Sequence, residues 1–135
     1  MENLVYALVQ LVHNFGAVAV TAAPFAAFSP ARLAPESRRG LARLVAAAWL
    51  VQIASGIAFG ATSLHYYGVL PDLSRVARAA LIVKVSCALA GTALVTLLFA
   101  RGARWTEAAH GRAWRALAAL GATALAGAAV LRWFS

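Results

Sequence analysis

The sequence predicts an all-α integral membrane protein, an up-down bundle of four transmembrane helices. Apolar residues make up 63% of the chain and charged residues only 12%, whereas a soluble domain carries about 25% charged residues. A chain of 135 residues cannot hide this apolar excess in a core, because a small globule is mostly surface. Four apolar runs also reach the ~20 residues that a helix needs to cross the hydrocarbon layer.

The four predicted spans form a single domain that covers residues 1–135. They lie at about residues 4–28, 41–63, 76–100 and 113–134, and the first ends before Pro30. Backbone polar groups must be satisfied within the chain in lipid, which favours helices over an open sheet. Because the connecting segments are short, successive helices are expected to pack antiparallel.

The distribution of arginine predicts the orientation. Eight arginines flank the first and third loops: Arg32, Arg38, Arg39, Arg43, Arg101, Arg104, Arg112 and Arg115. Three flank the second loop or lie near the C-terminus: Arg75, Arg78 and Arg132. Cytoplasmic loops carry the excess of positive charge, so we expect both termini outside, in a bacterial inner (plasma) membrane. The net charge of +8 then indicates contact with anionic lipids rather than with nucleic acid.

Strongly polar side chains near the middle of the spans are few and share one depth. They are Gln10, His13 and Asn14 in the first span, Gln52 in the second and Lys84 in the third. Counted at 1.5 Å per residue from the outer ends of their spans, His13 lies ~14 Å deep, Lys84 ~12 Å and Gln52 ~16 Å. We therefore expect three helices to place polar groups in one layer in the outer half of the bilayer.

Lys84 is the most informative of these residues, because a cation near the centre of a transmembrane helix costs about 2.5–3.5 kcal/mol. No predicted span contains an acidic partner, since the acidic residues are Glu2, Glu36, Asp72 and Glu107. Three interpretations remain open from the sequence. Lys84 is neutral, or it pairs with an anion that the protein does not encode, such as a ligand carboxylate, or it snorkels outward along its stem.

His13 is the candidate metal ligand, because neutral imidazole binds metals, including haem iron. The small Ala17 on the same helix face leaves room beside the ring for a flat cofactor. The alternative is a buried histidine that bonds to Gln52 or Asn14. His65 is the candidate second ligand if the second helix extends outward.

Three short motifs occur in the second and third spans and their flanks: Ser55-Gly56, the segment Arg78–Val85 and the sequence Phe99-Ala100-Arg101. Together they resemble the membrane domain of CopD-type copper-resistance proteins. The first span, with a histidine followed by Gly16 and other small residues, is similar to theirs. The resemblance implies a membrane-embedded protein that handles copper.

A histidine in the first helix and a lysine in the third also resemble the HemJ family. The resemblance implies a four-helix membrane protein associated with protoporphyrinogen oxidation and haem b, with the functional pair mapping onto His13 and Lys84. The chain departs from that pattern at Thr21–Phe25 and in the fourth helix, which leaves an oxidase activity open.

These observations support three functional hypotheses. The first is a b-type haem or porphyrin protein in a redox or electron-transfer step, with His13, Lys84, Gln52 and Asn14 as cofactor-binding residues. The second is copper transport or resistance, although a fixed cation and a shortage of Met and Cys ligands argue against it. The third is a structural subunit of a larger membrane complex. Expected partners are lipids, other membrane or periplasmic redox subunits, or further copies of the chain.

Overall fold

Four long helices account for almost all of the structure, a computed structural model that describes residues 1–28 and 33–134. Their bounds are α1 Glu2–Ala26, α2 Pro35–Tyr67, α3 Arg75–Arg101 and α4 Glu107–Phe134. A short 3₁₀ turn, Gly102–Arg104, joins α3 to α4. Each long helix is apolar enough and long enough to cross a membrane. The prediction of an all-α protein with four helices long and apolar enough to span a membrane is therefore confirmed; Pro30 and Arg32 lie outside the described residues.

The helices α2 and α4 are longer than the apolar runs that predicted them. Helix α2 begins at Pro35, where a proline is favoured because the first helical amide needs no intrahelical acceptor. It ends at Gly68, whose φ of 70° is the left-handed conformation that glycine adopts readily. Helix α4 begins at Glu107, six residues before the predicted span at 113. Hydropathy locates the apolar part of a helix, whereas the helix itself continues into its polar flanks.

Hydrogen bonds at the helix ends establish an up-down arrangement. The Tyr67 hydroxyl at the end of α2 donates to Glu2 at the start of α1. Ser74 caps α3 by accepting from the Ala77 amide, and its hydroxyl also bonds to the carbonyl of Phe134 at the end of α4. We call this the terminal end of the bundle. The opposite end, the arginine-rich end, holds the start of α2, the end of α3 and the start of α4.

The four helices form a closed ring in which α1 packs on α2 and α4, and α3 packs on the same two helices. Helices α1 and α3 therefore face each other across the bundle axis. A side chain on α1 that reaches α3 must cross the interior, and this topology positions the site described below.

Large buried side chains concentrate in the half of the bundle nearer the arginine-rich end. Trp49, Trp114 and Leu117 are almost completely buried there. Gly91 makes room for the Trp49 indole, since a Cβ at that position would lie 2.4 Å from the ring. The other half is different, because its buried positions include polar residues, namely His13, Gln52, Ser55, Thr62 and Ser63.

Two glycines on α2 play no part in packing within the chain. A Cβ at Gly56 would meet nothing within 4 Å, and a Cβ at Gly60 would meet only Leu70, at 3.7 Å. By contrast, a Cβ at Gly121 on α4 would lie 2.6 Å from the backbone oxygen of Val20. The glycines that permit close contacts between helices therefore include Gly91 and Gly121, but not the α2 pair.

Candidate functional site

Three helices contribute one side chain each to a chain of hydrogen bonds at the bundle axis. Lys84 Nζ on α3 lies 2.8 Å from His13 Nε2 on α1. The other ring nitrogen, His13 Nδ1, lies 2.7 Å from Ser55 Oγ on α2. The contact between α1 and α3 spans the diagonal of the bundle, so Lys84 points into the interior. The snorkelling interpretation of Lys84 does not describe this structure.

The hydrogen-bond partners determine which imidazole nitrogen carries the proton when Lys84 is an ammonium. An ammonium group has donors only, so His13 Nε2 accepts and Nδ1 carries the ring hydrogen. Nδ1 then donates to Ser55 Oγ. The Ser55 hydroxyl donates in turn to the backbone oxygen of Val51, one turn earlier in α2, at 2.5 Å. A neutral imidazole can therefore make both of its hydrogen bonds in this series, one to Lys84 and one to Ser55.

Gln52 supports the same site through the backbone of α1. Its Nε2 donates to the carbonyl oxygen of His13 at 2.5 Å. The absence of a side chain at Gly16 permits this approach, because a Cβ there would lie 2.6 Å from Gln52 Nε2. Gln52 and Gly16 thereby fix the position of His13 along the α1–α2 contact.

Burial differs between the two members of the His13–Lys84 pair. His13 is only 7% exposed, and the edge of its ring meets Phe59 of α2 at a centroid separation of 5.6 Å. Lys84 is half-buried. The pair therefore opens to its surroundings along the lysine side, while the imidazole is enclosed by α2.

Lys84 has no acidic partner within residues 1–28 and 33–134. In the described part of the chain, Lys84 makes no hydrogen bond other than the one to His13. The four acidic residues lie at the helix ends or in the α2–α3 loop. Burying a charge costs much free energy unless the charge is paired and hydrogen-bonded. The arrangement leaves two of the three ammonium donors available to an anionic group.

The structure separates Asn14 and His65 from the pair. Asn14 is exposed on the outer surface of α1, where its Oδ1 accepts a 2.6 Å hydrogen bond from Gln10. Helix α2 does extend to Tyr67, but this extension carries His65 away from the site, about 15 Å along the helix from Ser55. There His65 is exposed and meets Tyr66 edge-on. Of the residues predicted for the site, His13, Lys84 and Gln52 come together.

Ser55 and Phe59 complete the site, and the sequence had not singled out either as a partner of His13. The sequence does indicate that Ser55 lies near the site, because Ser55 follows Gln52 by three residues and therefore shares a helix face with it. Phe59, four residues further, lies on that face too. An apolar ring in an apolar helix carries no comparable signal.

The donor set would fit a metalloporphyrin whose metal is held by a single histidine. His13 Nε2 is the nitrogen presented to the interior, and histidine ligands usually donate their other ring hydrogen to an acceptor such as Ser55 here. A second histidine does not approach this pair within residues 1–28 and 33–134, and no group of three His, Cys, Asp or Glu side chains there is suited to hold a metal ion. Cys87, one turn after Lys84, is buried and unbridged.

Two shallow grooves run along the outside of the bundle near this level. One, of about 360 Å³, lies between α1 and α2 and is lined by apolar residues that include Phe15 and Leu44. The other, of about 390 Å³, lies beside Ala17 between α1 and α4. Ala17 lines this groove, but neither His13 nor Lys84 does, so the groove is not the room beside the imidazole that was expected for a flat cofactor. Because Lys84 Nζ lies 2.8 Å from Nε2, ligation by His13 would require Lys84 to move away.

Replacing Ser55 with alanine is expected to change the tautomer of the His13 imidazole while the fold is retained. The Nδ1 hydrogen loses its acceptor, and an unsatisfied buried donor costs about 1–3 kcal/mol. In ¹⁵N-histidine NMR spectra of the micelle-bound protein, we expect a single Nδ1-protonated form in the wild type and a mixture in Ser55→Ala. Ser86→Ala, an exposed serine on α3, is the matched control and should leave the spectrum unchanged. Identical His13 signals in wild type and Ser55→Ala would contradict the assignment.

Comparisons of this chain with protein-family models, with curated proteins and with solved structures found no match. Interpretation of the site therefore depends on its geometry.

Proposed function

We propose that this chain is a membrane-embedded protein that binds haem b or a related porphyrin at the His13–Lys84 pair and takes part in a redox or electron-transfer step. The supporting observation is a buried imidazole bonded directly to a membrane lysine that has no acidic partner. Porphyrins of this class carry both groups that such a pair recognises, a central metal and propionate carboxylates. The resemblance to HemJ proteins in the first and third helices agrees with this proposal.

Each residue of the site has a distinct part in this proposal. His13 would hold the metal through Nε2, and Ser55 would orient the ring by accepting from Nδ1. Lys84, once it has swung off Nε2, pairs its ammonium with a propionate in a charge-assisted hydrogen bond. Gln52 fixes the α1 backbone at His13. The bound iron supplies the one-electron chemistry.

Lys84 also has a part in the hydrogen bonding of the imidazole itself. Its ammonium donates to the Nε2 lone pair, which avoids the cost of a buried polar atom without a partner. On porphyrin binding, Nε2 would hold the metal and the ammonium would pair with a carboxylate in place of this hydrogen bond. The same lysine would therefore contribute to both arrangements.

The proposed orientation follows from the arginine-rich end. With that end in the cytoplasm of a bacterium, both termini face the periplasm and the His13–Lys84 pair lies in the outer half of the inner membrane. This depth suits electron exchange with a quinol or a periplasmic redox partner. The arginines at the arginine-rich end would contact anionic lipid headgroups of the cytoplasmic leaflet.

Copper transport is a weaker proposal for this geometry. Copper sites favour several soft or imidazole ligands, and His13 shares its cluster with a cation, a hydroxyl and an amide. A purely structural role in a larger complex is compatible with the exposed apolar helix faces. That role does not require the His13–Lys84 pair, so replacement of both residues would then be harmless.

Titration of the detergent-purified protein with three probes tests the proposal. Haemin is expected to bind saturably, with one equivalent per chain and a shifted Soret band. Metal-free protoporphyrin IX is expected to bind more weakly, because only its carboxylates are recognised. Cu²⁺ is expected to show no saturable site. Saturable copper binding without haemin binding would favour the transport alternative, and no binding of any probe would favour the structural one.

A further inference from the structure

A polar amide lies on the exposed surface of α1, at the middle of this membrane-spanning length of helix. Asn14 is the central residue of α1, which runs from Glu2 to Ala26, and its side chain is exposed. The ends of α1 are each about 18 Å away at 1.5 Å per residue. An asparagine side chain is far too short to reach either headgroup layer.

The hydrogen bond to Gln10 satisfies only part of this amide. Gln10 Nε2 donates to Asn14 Oδ1 at 2.6 Å, and within the described residues this is the one side-chain hydrogen bond of Asn14. Both N–H groups of Asn14 therefore remain without an acceptor, and Oδ1 retains a second lone pair. Hydrocarbon offers no partner for these groups, and asparagine side chains in transmembrane helices typically bond across to another helix.

The surface around Asn14 has the shape of a helix-packing site. A groove of about 390 Å³ runs between α1 and α4, lined by Asn14, Ala17, Val18, Thr21, Ala22 and Leu125. Its alanines permit close backbone approach. The Thr21 hydroxyl is already satisfied by the Ala17 carbonyl at 2.8 Å, so Asn14 is the group in this groove that needs a partner.

We propose that the α1–α4 groove is an interface with a second copy of this chain, in which the two Asn14 side chains bond to each other. All copies insert with the same orientation, so their α1 helices are parallel and a two-fold axis along the membrane normal places each residue opposite itself. A primary amide is self-complementary in that arrangement, since each Asn14 donates an N–H to Oδ1 of the other. This inference is independent of porphyrin binding.

Energy transfer between labelled chains in liposomes, measured at decreasing protein-to-lipid ratio, tests the interface. For the wild type, energy transfer is expected to fall as the protein-to-lipid ratio decreases, as an equilibrium between monomers and dimers requires. Asn14→Leu is expected to weaken association about 3- to 20-fold, the range for interhelical hydrogen bonds in membranes. Asn14→Gln keeps the amide and should retain most of the association. Circular dichroism of each variant distinguishes lost association from lost folding.

Cysteine cross-linking identifies the face that is used. In a Cys87→Ser background, Val18→Cys is expected to form a disulfide-linked dimer rapidly on oxidation, because Val18 lines the groove and is 63% exposed. Ile57→Cys is the matched control on α2, with a similar exposure of 68%, and should cross-link slowly. Equal rates for the two variants, a monomer at every dilution, or an unchanged association of Asn14→Leu would each overturn the proposal.

Discussion

Replacing His13 with alanine is expected to abolish the ligated form of haemin, recognised by its shifted Soret band, whereas Lys84→Ala is expected to weaken haemin binding about 10- to 100-fold. His13 Nε2 is the nitrogen positioned to ligate a metal at this site, and no second histidine near it within residues 1–28 and 33–134 can substitute. Lys84 contributes a hydrogen bond between charged groups, which is worth about 1.5–3 kcal/mol. Its loss leaves a propionate without a cation but retains the ligand.

Parallel titrations with haemin and metal-free protoporphyrin IX separate the two roles. His13→Ala should lose the haemin Soret shift and retain weak binding of the metal-free ring, which depends on Lys84. Lys84→Ala should weaken the binding of both probes. His65→Ala is the control, because the structure places this histidine at the terminal end. Unchanged haemin affinity in both His13→Ala and Lys84→Ala would contradict the site assignment.

Gly121→Ala is expected to lower the free energy of unfolding by about 1–3 kcal/mol, the usual cost of overpacking. The added Cβ would lie 2.6 Å from the Val20 oxygen and 3.1 Å from its carbonyl carbon. These are backbone atoms of α1, so no side-chain rotation can relieve the contact. Helices α1 and α4 must move apart, and α1 carries His13 with it.

Gly56→Ala is the matched control, because a Cβ there would meet nothing within 4 Å. Both substitutions add the same methyl group to a helix, and alanine is the better helix former by about 1 kcal/mol. Gly56→Ala should therefore be neutral or slightly stabilising. Unfolding in mixed micelles with increasing dodecyl sulfate, followed by circular dichroism, measures both. Equal stability of the two variants would contradict the α1–α4 packing.

The common depth of His13, Gln52 and Lys84 could be predicted from the sequence, because it depends only on residue counts and on the helical rise. The structure brings these three residues together. The rotation of α1 about its axis could not be predicted, since apolar residues surround the helix and do not mark a buried face. His13 and Asn14 are adjacent in sequence, yet they point about 100° apart. The first is buried at the axis and the second is exposed.

The hydrogen-bond partner of the imidazole also could not be predicted from the sequence. Gln52 and Asn14 were the two partners considered for a buried His13. Gln52 does bond to His13, but through the backbone oxygen, and Asn14 bonds to Gln10 instead. The ring nitrogen Nδ1 of His13 bonds to the hydroxyl of Ser55 instead. Gln52 and Ser55 lie on one face of α2, so the choice depends on side-chain length and on the close α1–α2 approach that Gly16 permits. Such differences of a few ångströms arise only when the helices are packed.

The absorption spectrum of the protein, purified from membranes of haem-replete cells and recorded before and after reduction with dithionite, tests the central claim most directly. Haem b bound at His13 predicts a Soret band in the oxidised protein and sharpened α and β bands on reduction, all absent from His13→Ala. The same bands at equal intensity in His13→Ala would contradict the claim. A colourless wild-type protein that also fails to take up added haemin would contradict it as well.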